Sequence, residues 1–198
     1  MQKEYLKLNL GCGVNHLPGH INVDKFGNPD LRHDLECFPW PWPDNSTRTV
    51  VLNHVLEHLG ANPDVFFGII RELYRICAPD ARIEVAVPHP RHDHFINDPT
   101  HVRIVTPEMM LLFSMEKNFE WKRKGHANSP LAFYLNVDFE LVKTVCILDE
   151  IWAQKLERKE INEDDVAKAA GLHNNVVKEF RMTLRVVKPP RTEDFFPA

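Results

Sequence analysis

At 198 residues, with 43% hydrophobic and 26% charged residues, the chain suits a single domain, residues 1–198, with a sizeable core of its own. A formal net charge of -4 excludes the global basic field that drives nonspecific nucleic-acid binding, and no apolar run approaches the length of a membrane span. Cys12, Cys37, Cys77 and Cys146 are scattered without a C-x-x-C pair, and M-Q-K-E-Y opens without an apolar leader, so a reduced, cytoplasmic protein is expected.

The chain is organised around residues 5–24. Leu6, Leu8 and Leu10 alternate with Lys7 and Asn9, the period of a strand, and Gly11 and Gly13 follow with the backbone freedom that lets a ligand approach closely. A second apolar run, I-N-V, ends at Asp24. In a doubly wound sheet the ligand crevice lies at the carboxyl ends of the strands, where a carboxylate accepts hydrogen bonds from both ribose hydroxyls. A nucleoside-containing cofactor is the expectation. Residues 14–20, broken by Pro18 and Gly19, are too few for the crossover helix that usually joins parallel strands, so an irregular link is expected.

Next, F-P-W-P-W-P at 38–43 forbids both helix and central strand and predicts a loop packed by Trp40 and Trp42. T-V-V-L-N at 49–53 reads as a buried parallel strand, and H-V-L-E-H-L at 54–59 as a single helical turn closed by Gly60. Asn62-Pro63-Asp64 is a helix start, and Val65, Phe66, Ile69, Ile70, Leu73 and Ile76 recur at helical spacing up to Pro79. Arg71 and Arg75 read as solvated surface on that helix, and R-I-E-V-A-V at 82–87 as the next strand. Residues 88–105 form a long loop carrying His89, His92, His94 and His101, in the position where loops carry function. Thr106-Pro107-Glu108 restarts a helix; 138–148 alternates as a strand; 149–180 reads as a charged helical insertion; 181–187 alternates again; and the tail from Pro189 reads as loosely held.

Taken together, L-N-L-G-C-G at 8–13, Asp24, D-L at 34–35, N-H-V-L-E-H-L at 53–59 and R-E-L-Y-R-I-C-A-P-D-A-R-I-E-V-A-V-P at 71–88 resemble the class I S-adenosylmethionine-dependent methyltransferases, in particular small type 11-like members with a shortened first crossover. The resemblance implies an α/β, Rossmann-like doubly wound fold: a mostly parallel seven-stranded sheet with an antiparallel last strand, in a three-layer sandwich. It implies S-adenosyl-L-methionine as cofactor, with Leu10, Gly11, Cys12 and Gly13 at its methionine and ribose portion, Asp24 on the ribose, Asp34 and Leu35 at the adenine, and His54 alongside. The chain departs at G-C-G-V-N, where a third glycine is common, and at Asp80, where glycine often follows proline.

The implied activity is transfer of a methyl group to an oxygen or nitrogen of a small-molecule, saccharide or macromolecular acceptor. Neutral histidine suits removal of the acceptor's proton, so His101 and His54 are the candidate bases and Asp98 the candidate orienting group. Glu57 and His58 read as ordering their turn. No metal site is expected, because the loop histidines follow no H-E-x-x-H or paired-cysteine pattern. Two further readings stand beside this one: a catalytically silent cofactor-binding partner module, and a metal-dependent hydrolase built on the 89–101 histidines.

Overall fold

The computed structural model describes residues 4–195. Seven strands, β1 (Leu6–Leu10), β2 (Ile21–Asp24), β3 (Leu31–Arg32), β4 (Thr47–Asn53), β5 (Cys77–Pro88), β6 (Phe139–Leu148) and β7 (Val177–Val186), pair in the order β3-β2-β1-β4-β5-β7-β6. The first five are parallel to their neighbours, and β7 lies antiparallel between β5 and β6. Helix α1 (Pro63–Ile76) joins β4 to β5, and α2 (Asp93–Ile96), α3 (Pro107–Leu111), α4 (Met115–Lys124) and α5 (Leu131–Leu135) join β5 to β6. The insertion between β6 and β7 holds α6 (Glu150–Glu157) and α7 (Glu163–Leu172).

Local chemistry sets the boundaries. Asn62 caps α1 by accepting from the Asp64 amide at 2.9 Å, with Pro63 in the first turn, as its sequence predicts. The helix stops at Ile76, before Pro79, because the chain turns directly into β5, whose first residue already pairs with Thr47. Asp80 takes a left-handed φ of 60° within that strand, where the register shifts. β7 likewise begins at Val177 rather than at 181: the antiparallel ladder to β5 reaches back to Glu179 opposite Pro88.

Leu8, Leu10, Val50, Leu52, Ile83, Val85, Met182 and Leu184 point to one face and are buried with Phe66, Ile69, Ile70 and Leu73 of α1 and with Phe113. On the opposite face Lys7, Asn53, Arg82 and Arg181 are exposed. Residues 11–20 and 25–30, which join β1 to β2 and β2 to β3, contain no helix to cover that side. Strands buried on both faces read as continuous apolar runs, whereas these alternate. In place of a first crossover helix, buried Asn9 donates to Asn15 O and to Asn22 Oδ1, both at 2.9 Å. Asn22 Oδ1 accepts in turn from the Leu17 amide at 2.7 Å, and its amide nitrogen donates to Asp30.

The proline loop is clamped rather than merely packed. Trp40 and Trp42 are buried edge to face with ring centroids 5.9 Å apart. The Glu72 carboxylate accepts from the Trp40 amide at 2.6 Å and from Arg75 Nε and Nη2 at 2.8 and 2.7 Å, while Arg75 also donates to Trp40 O, Trp42 O and Asp44. Arg75 is thus no solvated surface residue: the loop's carbonyls, which proline keeps out of any ladder, take its guanidinium as their donor. The bonds from Arg75 hold the Glu72 carboxyl below the usual carboxylate range. A depressed carboxyl contributes stability that is complete above its unfolded value of about 4.3 and is lost as pH falls through the folded value. Glu72→Gln is expected to lower urea stability by about 1–3 kcal/mol at pH 7, with the gap to wild type closing below about pH 4. Equal stability of the two proteins at pH 7 would contradict the clamp.

The tail is corrected as well. Lys188 donates to Asn45 Oδ1, Arg75 O and Cys77 O, and Arg191 donates to Asp138, a carboxylate with no solvent exposure. Residues 196–198 lie outside the described part of the chain.

Candidate active site

β1 delivers its loop to the carboxyl edge of the sheet. Gly11 has φ of 67°, and a Cβ there would lie 2.5 Å from Val55 Cγ2, so only glycine lets the loop pass Val55, two residues beyond β4. Gly13 has φ of 51° and open space around it. Asp24, at the end of β2, accepts from the Gly13 amide through Oδ2 and from the Phe26 amide through Oδ1, both at 2.8 Å. The same carboxylate thus fastens the glycine loop and starts the next turn, and each oxygen retains a lone pair for a ligand.

Beside it lies a slot of about 170 Å³ bordered by Gly11, Asp24, Asp34, Leu35, His54 and Leu59. A wider basin of about 740 Å³ opens on the other side of Gly11 and His54, over the bare face of the sheet, and is lined by Cys12, Gly13, Asn53, Glu84 and Arg181. Slot and basin share Gly11 and His54 as their common wall. The fold thus brings Gly11, Asp24, Asp34, Leu35 and His54 together from separate strand ends. Cys12 and Gly13 face the basin, and the side chain of Leu10 is fully buried in the core, contributing only backbone to the loop. Asp34 also accepts from the Glu36 amide at 3.0 Å and lies 3.7 Å from Lys25 Nζ.

His54 has φ of 55° and an amide tied to Ala86 O, which turns its ring sideways between two carboxylates. Nε2 is 2.8 Å from Glu179 Oε2 and Nδ1 is 3.3 Å from Glu57 Oε1. Those two acids, Glu57 foremost, raise the pKa of the imidazole above its ordinary value against the opposing effect of its burial. Glu179 escapes sequence reading because it falls in the stretch read as helical. The alternation of Lys178, Glu179, Phe180 and Arg181 with their neighbours is the signal that extends β7 to include it.

The four loop histidines do not gather on one point, although the rings of His92 and His94 meet edge to face with centroids 4.4 Å apart. His89 packs on Phe180 and its Nδ1 accepts from the Arg91 amide; His92 Nε2 faces Asp149 at 3.4 Å while its Nδ1 caps α2. His101 is held elsewhere: its Nδ1 is 2.8 Å from Phe95 O, its Nε2 is 3.8 Å from Asp98 Oδ2, and its ring lies 4.6 Å from that of His58. A hydrolase centre built from the histidines of residues 89–101 is not formed, because α2 and its caps point His89 and His92 at different partners.

No protein-family model matches the chain, and no curated protein matches its sequence. Solved structures do match in shape. A S-adenosylmethionine-dependent methyltransferase from Archaeoglobus fulgidus superposes with a TM-score of 0.55 at 18% identity, covering 92% of this chain and 87% of that one. The fold is that of the S-adenosylmethionine-dependent methyltransferases. A S-adenosylmethionine-dependent methyltransferase from Methanosarcina mazei gives a TM-score of 0.51 at 13% identity, covering 94% of each chain. The 1,6-didemethyltoxoflavin-N1-methyltransferase of Burkholderia thailandensis, solved with bound 1,6-didemethyltoxoflavin and S-adenosylhomocysteine, gives 0.50 at 13%, covering 94% of this chain and 72% of that one.

Proposed function

We propose that the chain binds S-adenosyl-L-methionine in the slot and catalyses transfer of its methyl group to an oxygen or nitrogen acceptor entering from the basin. The observation that carries this reading is the convergence of Gly11, Asp24, Asp34, Leu35 and His54 on one cavity at the carboxyl edge of a sheet with this strand order. The residues present fit the cofactor. Asp24 keeps acceptor capacity for two ribose hydroxyls beyond its loop bonds, Leu35 and Leu59 offer apolar walls to the base, and Asp34 offers an acceptor to the adenine amino group. The methionine portion would pass Gly11 out of the slot along Cys12 and Gly13, which border the basin, and the space beside Gly13 is open.

The cofactor supplies an electrophilic methyl carbon, and the protein's share is to hold the acceptor in line with it. Nε2 of His54 is hydrogen-bonded to Glu179 at 2.8 Å and Nδ1 stands 3.3 Å from Glu57, so both ring nitrogens face carboxylates rather than the basin. His54 is a positioning residue at the wall between slot and basin rather than the base. His101 retains its Nε2 lone pair, since its Nδ1 proton is given to the Phe95 carbonyl.

Calorimetric titration of the full chain with S-adenosyl-L-methionine and with S-adenosylhomocysteine tests the cofactor reading, and a labelled-methyl screen over glycans, nucleotides, RNA and peptides tests transfer. Failure of both ligands to bind would reject the proposal; binding without product on any acceptor class would favour the catalytically silent module.

A further inference from the structure

We infer that Glu57, His58 and His101 form a binding site for a divalent first-row transition-metal ion at the edge of the slot. One ligand atom from each of the three lies within 4.8 Å of the others. They come from the turn after β4, Leu56–His58, and from the loop after β5, which is stitched to that turn where the Val102 and Arg103 amides donate to Glu57 O at 2.9 and 3.1 Å.

The state of each group is that of a ligand awaiting an ion. The Glu57 side chain is 1% exposed, yet neither carboxylate oxygen receives a hydrogen bond. Its one ionic neighbour among the described residues is His54 Nδ1, 3.3 Å from Oε1, which leaves Oε2 with nothing. A buried carboxylate normally collects hydrogen bonds or a cation, because taking it out of water otherwise costs several kcal/mol. Both histidines, by contrast, are oriented through the nitrogen that is not needed. Phe95 O can only accept, so His101 carries its proton on Nδ1. Thr100 Oγ1 donates to Asp98 Oδ1 at 2.6 Å, so at 2.9 Å it accepts from His58 Nδ1. Each ring therefore presents its Nε2 lone pair, with tautomer and orientation set by an outer hydrogen bond to a carbonyl or to a hydroxyl backed by a carboxylate, the usual support of metal-bound imidazole.

Two imidazoles and one carboxylate suit zinc, manganese, iron or cobalt, and they leave coordination positions open for an outside oxygen. Nitrogen and oxygen ligands stand about 2.0–2.2 Å from such an ion, so a contraction of about an ångström in the present spacing closes the set. Because His58 also borders the slot, an ion here would hold an acceptor oxygen beside the cofactor and ease loss of its proton. That last role rests on the methyl-transfer reading; the ion site itself does not.

The test uses the full chain, stripped with chelator and titrated with Zn²⁺ by calorimetry and with Co²⁺ by visible absorption. One equivalent is expected, with a saturable Co²⁺ band, and Glu57→Gln and His101→Ala should each weaken binding by about 100-fold. The Co²⁺ band in wild type needs no variant to fold, and Glu57→Gln is close to isosteric. Absence of saturable binding to wild type overturns the site, as does binding that persists unchanged in both variants. S-adenosyl-L-methionine is titrated into the same stripped protein, so a chain that binds cofactor but no ion rejects the ion site alone.

Discussion

Asp24→Asn is expected to weaken S-adenosyl-L-methionine binding by about 100-fold or more while the chain remains folded. The substitution is nearly isosteric, but Gly13 and Phe26 donate backbone N–H groups to different oxygens of the carboxylate. An amide turned either way sets its NH₂ against one of those donors. The glycine loop or the turn after it loses a fastening, and a ribose bound as proposed loses one of its two acceptor oxygens. Hydrogen bonds to a charged group contribute about 1.5–3 kcal/mol each, and a loss of about 3 kcal/mol is about two orders of magnitude in affinity. Calorimetry on wild type and variant measures the difference, with urea unfolding of both to confirm that the fold survives. Affinity within threefold of wild type would remove Asp24 from the binding site.

Arg191→Ala is expected to cost about 3–5 kcal/mol of stability, the range for breaking a buried ion pair from one side. Asp138 has no solvent exposure and sits just before β6, where it accepts from the Met115 amide at 3.0 Å and from Arg191 through N, Nε and Nη2 at 3.1, 2.7 and 2.9 Å. Removing the guanidinium strands a carboxylate among apolar neighbours with backbone donors alone. Arg191→Lys should recover little, because a point charge cannot reproduce a planar fork. Urea denaturation at pH 7 checks both, and a loss below about 1 kcal/mol for Arg191→Ala would show that the tail is dispensable.

What could be read from the sequence was whatever depends on near neighbours. A strand running into glycines, an acid closing the next run, and an asparagine before proline each act within a few residues, and the fold keeps them all where expected. Arg75, Asp138 and Glu57 were opaque for the opposite reason. Apart from Glu72, three residues before Arg75, their partners lie far along the chain, at Trp42, Arg191 and the loop carrying His101, and no local pattern announces such pairs. The exposed side of the central strands occupies a middle position. The shortness of 11–20 was visible, and so was the polar half of each central strand; Lys7, Arg82 and Arg181 needed only to be compared across strands to show one bare side. In the site, Gly11 and Asp24 were legible from the strand pattern and Asp34, Leu35 and His54 only through the family resemblance, whereas Glu179 was hidden by a strand boundary misplaced by several residues.

The helix-free link between β1 and β2 also bears on how the molecule folds. Parallel neighbours normally meet only after a long excursion of chain, and that separation makes parallel sheets slow to assemble. Here Leu8 pairs with Ile21, and Val23 with Leu31, across short links already tied by Asn9 and Asn22. Closing so short a loop loses less chain entropy than closing a helical crossover, by about 0.6 kcal/mol for each halving of length. The β1-β2-β3 corner can therefore form as a local unit, ahead of the β5-β7-β6 half, whose antiparallel ladder must wait for the chain beyond 176. Pulsed hydrogen exchange during refolding should protect the Cys12 amide, bonded to Val23 O, before the amides of β7. Simultaneous protection would mean that the short link confers no kinetic head start.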